Sequence, residues 1–403
     1  MKVAAYFEHE ITSGGGFQQG LNAALQMQRI CEGLYDFAVY TPIKANLEIL
    51  ADLGLPGIYY SRTISDRVFS RIWFWSIFNL VQARKVMANF EKTLIRDGVD
   101  LVYFISPSNE ALSLQSLNYI FTVWDLCHLD FPEFPEVSSF GEFEKRERTY
   151  LGTLAKAYCV IADSQESKKK IQSCYSVFPE RILVIPFQPA PDCSRNPTEN
   201  DDKQILRHYD LEPGYLFYPA QFWPHKGHIH LLEALAVFRD RNGHCPICVF
   251  SGSDTGNLEV VTNFVKEYRL DDLVKFLGFV PSDHIPALYR AAAALVMPTY
   301  FGPTNLPPLE ALTLGVPVIY PRHLSDQCGD AAIYFDLDNV VSLCDAMEHV
   351  LHQFDRSQWL QRRDARLASL TEAILKADVD LSKMLQRFQR RLMCWAKYKQ
   401  PYS

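Results

Sequence analysis

The chain has 403 residues, enough at roughly 150 per domain for two or three domains with cores of their own. Apolar residues make up 48% and charged residues 22%, with 19 glycines and 23 prolines, so composition excludes a disulfide mini-protein, a collagenous chain and a disordered one. Lys plus Arg number 40 against 47 Asp plus Glu, and the net charge of −7 argues against a general phosphate-backbone binder: any anion site has to be local.

Ten cysteines at irregular spacing, with no secretory apolar region behind Met1-Lys2-Val3, lead us to expect reduced thiols and a cytoplasmic location. The longest apolar candidate, Val68 to Val81, is interrupted by Ser70, Arg71, Ser76 and Asn79, too short and too polar to span a bilayer.

Short β-rich runs alternate with stretches of helical period, the pattern of parallel sheets with crossover helices. Strands are expected near Val3–Phe7, Leu101–Ile105, Tyr119–Trp124, Tyr158–Ala162, Ile182–Ile185, Leu216–Pro219, Ile247–Ser251, Ala294–Met297 and Val316–Tyr320. The stretch Pro189 to Asp202 is rich in turn formers and poor in apolar residues, and reads as an interdomain linker. The expected fold class is therefore α/β, with two doubly wound Rossmann-like domains over residues 1–195 and 196–380 and a terminal helix over 381–403.

The unusual residues cluster where strands end. Gly14-Gly15-Gly16, Ser106 to Glu110, Asp125-Leu126-Cys127-His128, Trp223-Pro224-His225-Lys226, Gly252 to Gly256 and Phe301 to Asn305 each follow an expected strand. Ligands of open α/β sheets bind outside those carboxyl ends, so two sheets facing each other would gather all six loops around one cleft.

Taken singly, each motif has a bland and a functional meaning. The glycine triplet leads into a helical pattern and lets backbone N–H groups approach a phosphate, or it is a flexible turn; it lacks the spacing G-x-G-x-x-G. His225 and Lys226 precede a helix, where a cation costs roughly 0.3–1 kcal/mol unless an anion is bound, so they point to an anionic ligand more than to solvent. Asn305 is an expected N-cap for the helix through Leu309 and Leu312. Glu310 either complements that helix dipole from the first turn or accepts from ribose hydroxyls. Cys245-Pro246-Ile247-Cys248 lacks a second ligand pair, and Asp336-Leu337-Asp338 reads as a solvated or capping loop, so no metal ligand set is expected.

From Tyr218 to Phe335 the succession of motifs resembles the retaining nucleotide-sugar glycosyltransferases of the GT-B fold, family 4. The resemblance rests on Lys226-Gly227, Val274 to Val280, Leu306-Pro307-Pro308-Leu309-Glu310-Ala311-Leu312 and Gly315 to Ile319. In the amino-terminal half, Gly14 to Gly16, Asp125-Leu126 and Val160 to Ser167 look like landmarks of the same family. The resemblance implies two Rossmann-like domains facing across a cleft, a nucleotide-diphosphate sugar as donor and no other cofactor. It implies that Lys226 binds the diphosphate and Glu310 the ribose, with Phe279 and Val280 beside the base. The loop Phe301, Gly302, Pro303, Thr304, Asn305 and Leu306 would offer amides to sugar and diphosphate, with Gln221 and Gly252 on the same donor side. Gly14, Gly15 and Gly16 would close on the phosphates, while Asp125 would face the acceptor side or hold that loop, with His128 counted among the catalytic residues.

Three departures stand out. Gln221 occupies the place of a usual Arg, Gly302 that of a second Glu, and Trp124-Asp125 that of a His-Asp pair, with His128 three residues on. A subgroup with a Trp-Pro-His-Lys loop is more similar, and His225 would then supply the second cationic contact when protonated. The implied activity is metal-independent transfer to a glycan or glycolipid hydroxyl in bacterial surface polysaccharide (O-antigen or capsule) synthesis, with no nucleic-acid partner. The rivals are a nucleotide-binding pseudoenzyme or partner subunit, which the departures motivate, and a dinucleotide oxidoreductase, which the missing glycine fingerprint disfavours.

At the carboxyl end, Leu381, Met384, Leu385, Phe388, Leu392 and Trp395 form one apolar stripe, while Lys383, Arg387, Arg390, Arg391, Lys397 and Lys399 are all basic. Such a helix docks its stripe on the amino-terminal domain, lies on an anionic membrane beside Arg67, Arg71 and Trp73-Phe74-Trp75, or does both; the second role would place the protein peripherally at the inner face of the cytoplasmic membrane.

Overall fold

The computed structural model describes residues 1–11, 15–62, 87–190, 193, 199–302 and 304–395. Val68 to Val81, Arg67, Trp73 to Trp75, Gly14, Pro303, Lys397 and Lys399 lie outside the described residues.

The chain divides into two compact units. The first comprises Met1–Leu126, Gly141–Pro186 and Glu372–Ser403; the second comprises Cys127–Phe140 and Phe187–Thr371. In the first, β1 (Lys2–Tyr6), β2 (Asp36–Thr41), β3 (Gly57–Tyr59), β4 (Leu101–Phe104), β5 (Asn118–Thr122), β6 (Cys159–Ala162) and β7 (Ile182–Val184) form one sheet in the order β3-β2-β1-β4-β5-β6-β7. Every pair is parallel; Val3 of β1 lies opposite Phe37 of β2 and Leu101 of β4. The strands β4 and β6 are buried at every residue, as expected of parallel strands covered on both faces.

The second unit repeats the plan with β8 (Leu216–Pro219), β9 (Cys248–Ser251), β10 (Val274–Phe276), β11 (Ala294–Val296), β12 (Val318–Pro321) and β13 (Ala332–Phe335), ordered β10-β9-β8-β11-β12-β13 and parallel throughout. Its core includes Phe217, Phe250, Leu295 and Ile319, all fully buried. The nine expected strands fall on observed ones. The four unexpected strands are β2, β3, β10 and β13; the last three are sheet edges of three or four residues, partly exposed, where the apolar run that betrays a strand is shortest.

The observed units are cut differently from the expected 1–195 and 196–380. The change comes at Phe187, and Cys127–Phe140, expected in the first domain, packs with the second because Cys127 and Val137 bury against Phe301. The last residues of the expected linker, Glu199 to Asp202, open the helix Glu199–His208, whose Asp202 grips Arg290 through two contacts of 2.6 Å.

The terminal helix runs over Arg356–Leu392, 37 residues, so it starts well before 381. Leu381, Met384, Leu385 and Phe388 bury in the first unit's core beside Val3, Met27 and Ile161. Gln26 donates to Asp378 at 2.6 Å, and Arg29 pairs with the same carboxylate at 2.7 Å. No helix among the described residues is long and apolar enough to cross a membrane. All ten cysteines are free thiols, and burial pushes Cys245 up to about 12.

Candidate functional site

After β8 the chain passes through Ala220 to Trp223 into a single tight turn, Pro224–Lys226, and then the helix His228–Asn242. Pro224 supplies the fixed φ that opens the turn, and Gly227 closes it at φ 65. A β-carbon on Gly227 would stand 2.2 Å from the carbonyl oxygen of Pro298, so this turn backs directly onto the chain leaving β11. The carbonyl of His225 accepts the Tyr300 amide at 2.8 Å, and the carbonyl of Lys226 accepts the Tyr218 hydroxyl at 2.8 Å. The backbone that carries His225 and Lys226 is therefore pinned by Tyr218 of β8 and by Tyr300 of the loop after β11.

The facing loop is built around Asn305, which stands at the N-cap position of the helix Leu306–Thr313 without capping it. Its amide nitrogen donates to the Gly302 carbonyl at 2.9 Å and to the Tyr320 hydroxyl at 2.7 Å, and its side-chain oxygen accepts from Lys226 Nζ at 3.3 Å. Gln327 holds the backbone of Asn305 from both sides: its oxygen accepts the Asn305 N–H at 2.9 Å, and its nitrogen donates to the Asn305 carbonyl. The expected cap is overridden because a buried amide beside a lysine and a tyrosine satisfies more of its hydrogen-bonding capacity there than at one backbone N–H.

Glu310 is the fifth residue of that helix, not part of its first turn, so the dipole reading falls. Its carboxylate is buried and accepts from the Tyr289 hydroxyl at 3.0 Å. Burial raises its pKa to about 7, with the bonds from Tyr289 and the Ala190 amide pulling the other way.

The His225 ring is held at one edge and on one face. Nδ1 lies 2.5 Å from Glu136 Oε1, the same oxygen accepts the His225 backbone N–H at 2.9 Å, and the Phe301 ring stacks on the imidazole at 3.9 Å and 10°. Phe131 and Phe134 pack on Phe301 and on Tyr300 from the segment that carries Glu136. Beside this turn, His228 is buried between Tyr218 and Phe222, and burial, helped by the charges of Lys226 and His225, lowers it to about 3. The imidazole of His228 is therefore neutral at physiological pH, and it adds no charge to the turn.

Other expected site residues are placed more plainly. The Gln221 side chain accepts the Trp223 indole N–H at 3.1 Å, Gly252 donates its amide to the Gly278 carbonyl at 2.8 Å, and Phe279 is exposed beside a buried Val280. Thr304 is half-buried and Leu306 is the first residue of its helix. In the first unit, Gly15 and Gly16 open the helix Gly15–Cys31, and Asp125 pairs with Arg146 at 3.0 Å while its carbonyl accepts the Tyr150 hydroxyl at 3.1 Å. His128 is fully buried in the short helix Cys127–Asp130, within the second unit. Sequence reasoning missed Glu136, Tyr289, Tyr320 and Gln327. Only Glu136 left a trace, in the Phe/Pro-rich run Phe131-Pro132-Glu133-Phe134-Pro135-Glu136. Among the described residues no group of three His, Cys, Asp or Glu side chains converges as a metal site.

Two parallel α/β units of this kind are the fold of the GT-B glycosyltransferases. A glycosyltransferase from Rickettsia africae superposes with a TM-score of 0.69 over 97% of this chain and 98% of its own at 14% identity. Anabaena HepE, crystallised with UDP and glucose, gives 0.70 over 96% and 100% at 16% identity. Within the second unit, residues 200–324 match the family described as glycosyl transferases group 1. The O-antigen chain mannosyltransferase B of Escherichia coli is 26% identical over 236 residues, 58% of this chain and 61% of that protein. The chain spans half or less of the length of two further curated relatives, a mannosylfructose-phosphate synthase and a D-inositol 3-phosphate glycosyltransferase.

Proposed function

We propose that this chain is a metal-independent, retaining glycosyltransferase that moves a sugar from a nucleoside-diphosphate sugar to a hydroxyl of a glycan or glycolipid in bacterial surface polysaccharide synthesis. The observation that carries the reading is the ammonium of Lys226, held by Asn305 between the chain leading into two helices. Two positive helix ends and a cation concentrated there are unfavourable for one another and favourable for a diphosphate. The match of residues 200–324 to the glycosyltransferase family and the likeness to an O-antigen mannosyltransferase support the same reading.

Charge grows on the diphosphate as the glycosidic bond breaks, so donors fixed in advance stabilise the transition state more than the bound substrate. Lys226 and a protonated His225 would take that charge, and the Glu310 carboxylate would accept from the ribose hydroxyls. The sugar carbon loses its bond to the phosphate oxygen and gains one to the acceptor oxygen on the same face. The acceptor's proton passes to the departing phosphate, so no separate protein base is required. Asp125 and His128 would serve the acceptor. The basic face of the terminal helix, with Lys383, Arg387, Arg390 and Arg391 exposed, would hold the protein at an anionic membrane surface.

The test is mass spectrometry of donor hydrolysis and transfer over a panel of nucleoside-diphosphate sugars, run with and without EDTA. Turnover of one donor that survives chelation supports the proposal, and turnover lost on chelation and restored by Mg²⁺ or Mn²⁺ overturns its metal independence. Donor binding without turnover favours a pseudoenzyme, a reading motivated by Gln221 being engaged with Trp223 where an arginine is usual.

A further inference from the structure

The Gly302 carbonyl can only accept a hydrogen bond, and the Lys226 ammonium can only donate one. The atom of Asn305 that lies 2.9 Å from the first is therefore the nitrogen Nδ2, and the atom 3.3 Å from the second is the oxygen Oδ1. The other hydrogen of Nδ2 goes to the Tyr320 hydroxyl at 2.7 Å, so that hydroxyl accepts there and donates its own hydrogen to Gln327 Oε1 at 2.9 Å. Burial holds the Tyr320 hydroxyl well above its ordinary ionisation, so it keeps that hydrogen. Gln327 Oε1 also accepts the Asn305 backbone N–H at 2.9 Å, while Gln327 Nε2 donates to the Asn305 carbonyl. Asn305, Tyr320 and Gln327 thus close a ring in which the direction of every bond is fixed.

All three side chains are buried, Tyr320 fully, so the ring is shielded from water. Its far side is anchored by Arg366 of the helix Arg356–Leu392, whose guanidinium donates to the Gln327 carbonyl at 2.7 and 3.0 Å. Both hydrogens of Asn305 Nδ2 are used, on Tyr320 and on Gly302, and Oδ1 is the atom of that amide directed at Lys226. Turning the amide over would set an NH2 group against the ammonium and an oxygen against the Gly302 carbonyl, repulsive at both ends. Tyr334 ties the same stretch, Arg322–Gln327, by a simpler means: its hydroxyl hydrogen is shared by the carbonyls of Ser325 and Gly329, and it makes no hydrogen bond to Asn305.

We propose that Tyr320 and Gln327 are positioning residues: the ring they close with Asn305 locks its side-chain amide with Oδ1 toward Lys226, and so fixes where the ammonium stands for the diphosphate of a sugar donor. This rests on the transferase reading above, in which Lys226 meets that diphosphate. Neither residue touches the ligand; both act through Asn305.

The experiment has two arms on the full chain. In the first, turnover over the panel of nucleoside-diphosphate sugars is measured for wild type, Tyr320→Phe, Gln327→Met, Tyr334→Phe, Lys226→Ala and the doubles Tyr320→Phe/Lys226→Ala and Gln327→Met/Lys226→Ala, with circular dichroism and thermal midpoints as fold controls. Tyr320→Phe and Gln327→Met are each expected to lower kcat about 10- to 100-fold, the cost of misplacing a catalytic group by about 1 Å. KM for the donor should change less than about threefold. Once Lys226 is gone the ring has nothing left to position, so each double should be no worse than Lys226→Ala alone. Tyr334→Phe, which loosens the same stretch without touching the ring, should keep its turnover within about threefold of wild type. Losses that multiply in the doubles, or a loss in Tyr334→Phe equal to that in Tyr320→Phe, would overturn the inference, because the ring would then serve the fold and not Lys226. In the second arm, hydrogen exchange of the Asn305 side-chain amide is followed without donor in ¹⁵N-asparagine-labelled protein, the signal being assigned through Asn305→Ala. Exchange should be about 3- to 10-fold faster in Tyr320→Phe than in wild type, as for one hydrogen bond lost. Equal exchange in the two proteins would overturn the lock on the amide. A chain that turns over no nucleoside-diphosphate sugar would defeat the transferase reading instead, and the exchange alone would decide whether the ring holds Asn305.

Discussion

The Nζ of Lys226 stands 3.3 Å from the side-chain oxygen of Asn305, 79 residues further along the chain. An amide oxygen orients an ammonium without neutralising its charge. Lys226→Ala is therefore expected to leave the fold intact and to lower turnover by roughly 10²–10³, the usual loss of a transition-state charge partner. A fall in kcat/KM below tenfold, with unchanged circular dichroism, would remove Lys226 from the diphosphate.

Glu310 should betray itself through pH. Its carboxyl ionises near 4.5 when free and near 7 in the fold, so the folded chain holds a proton that the unfolded chain has lost in that window. The stability this group contributes is full below about 4.5 and is lost as pH rises through about 7, a difference of order 3 kcal/mol. Glu310→Gln, neutral throughout, should flatten that slope in thermal midpoints measured from pH 5 to 8. Ribose hydroxyls donating to the carboxylate favour its ionised form. Nucleoside diphosphate affinity should then rise with pH more steeply in wild type than in Glu310→Gln, and fall about ten- to a hundredfold in the variant at pH 8, as for a charged hydrogen bond of ~1.5–3 kcal/mol. Calorimetric titrations with equal affinity and equal pH dependence would leave Glu310 a core residue only.

Placing at position 302 the acid usual in the glycosyltransferases this chain resembles should fail. Gly302 sits at φ 113, where a side chain is strained, and its β-carbon would approach Asn305 Oδ1 to 2.7 Å. Gly302→Glu is expected to cost about 1–3 kcal/mol in stability and, by displacing Asn305, to weaken nucleoside diphosphate binding. A thermal midpoint and affinity matching wild type would mean that the loop has room for the acid after all.

Attachment to lipid is tested by sedimentation. With Leu381, Met384, Leu385 and Phe388 buried and Lys383, Arg387, Arg390 and Arg391 exposed, binding should be electrostatic: present with anionic vesicles, absent with neutral ones and lost in high salt. Equal recovery in the supernatant with both vesicle types at low salt would remove the membrane role.

How much of this was legible depended on how locally each feature is determined. Strands such as Leu101–Phe104 and Leu216–Pro219 announce themselves, because parallel strands covered on both faces must be continuously apolar. Lys226 stood out because a cation at a strand-to-helix turn contradicts local preference, whereas the left-handed Gly227 and its close approach to Pro298 came only with the structure. Asn305 was misjudged for the opposite reason. Its position as N-cap is local, but its side chain answers to Lys226 and Tyr320, which no window of neighbouring residues contains. Glu136 meets His225 across 89 residues, and Glu310 meets Tyr289 across 21; such pairings are made by the packing of elements and leave no periodic trace.

The helix Arg356–Leu392 also imposes an order on synthesis. The first unit's core draws Val3, Met27 and Ile161 from the earliest half of the chain and Leu381, Leu385 and Phe388 from its end. While the ribosome is still translating the second unit, the amino-terminal sheet has an apolar face with its cover not yet made. Domains emerge at roughly 5–20 residues per second, so about 200 residues of waiting amount to some ten to forty seconds of exposure. The second unit, by contrast, has its whole core in hand by Trp359. The first unit therefore completes its core only after the helix Arg356–Leu392 has been made, and chaperone occupancy on stalled ribosomes should fall only once that helix has cleared the exit tunnel.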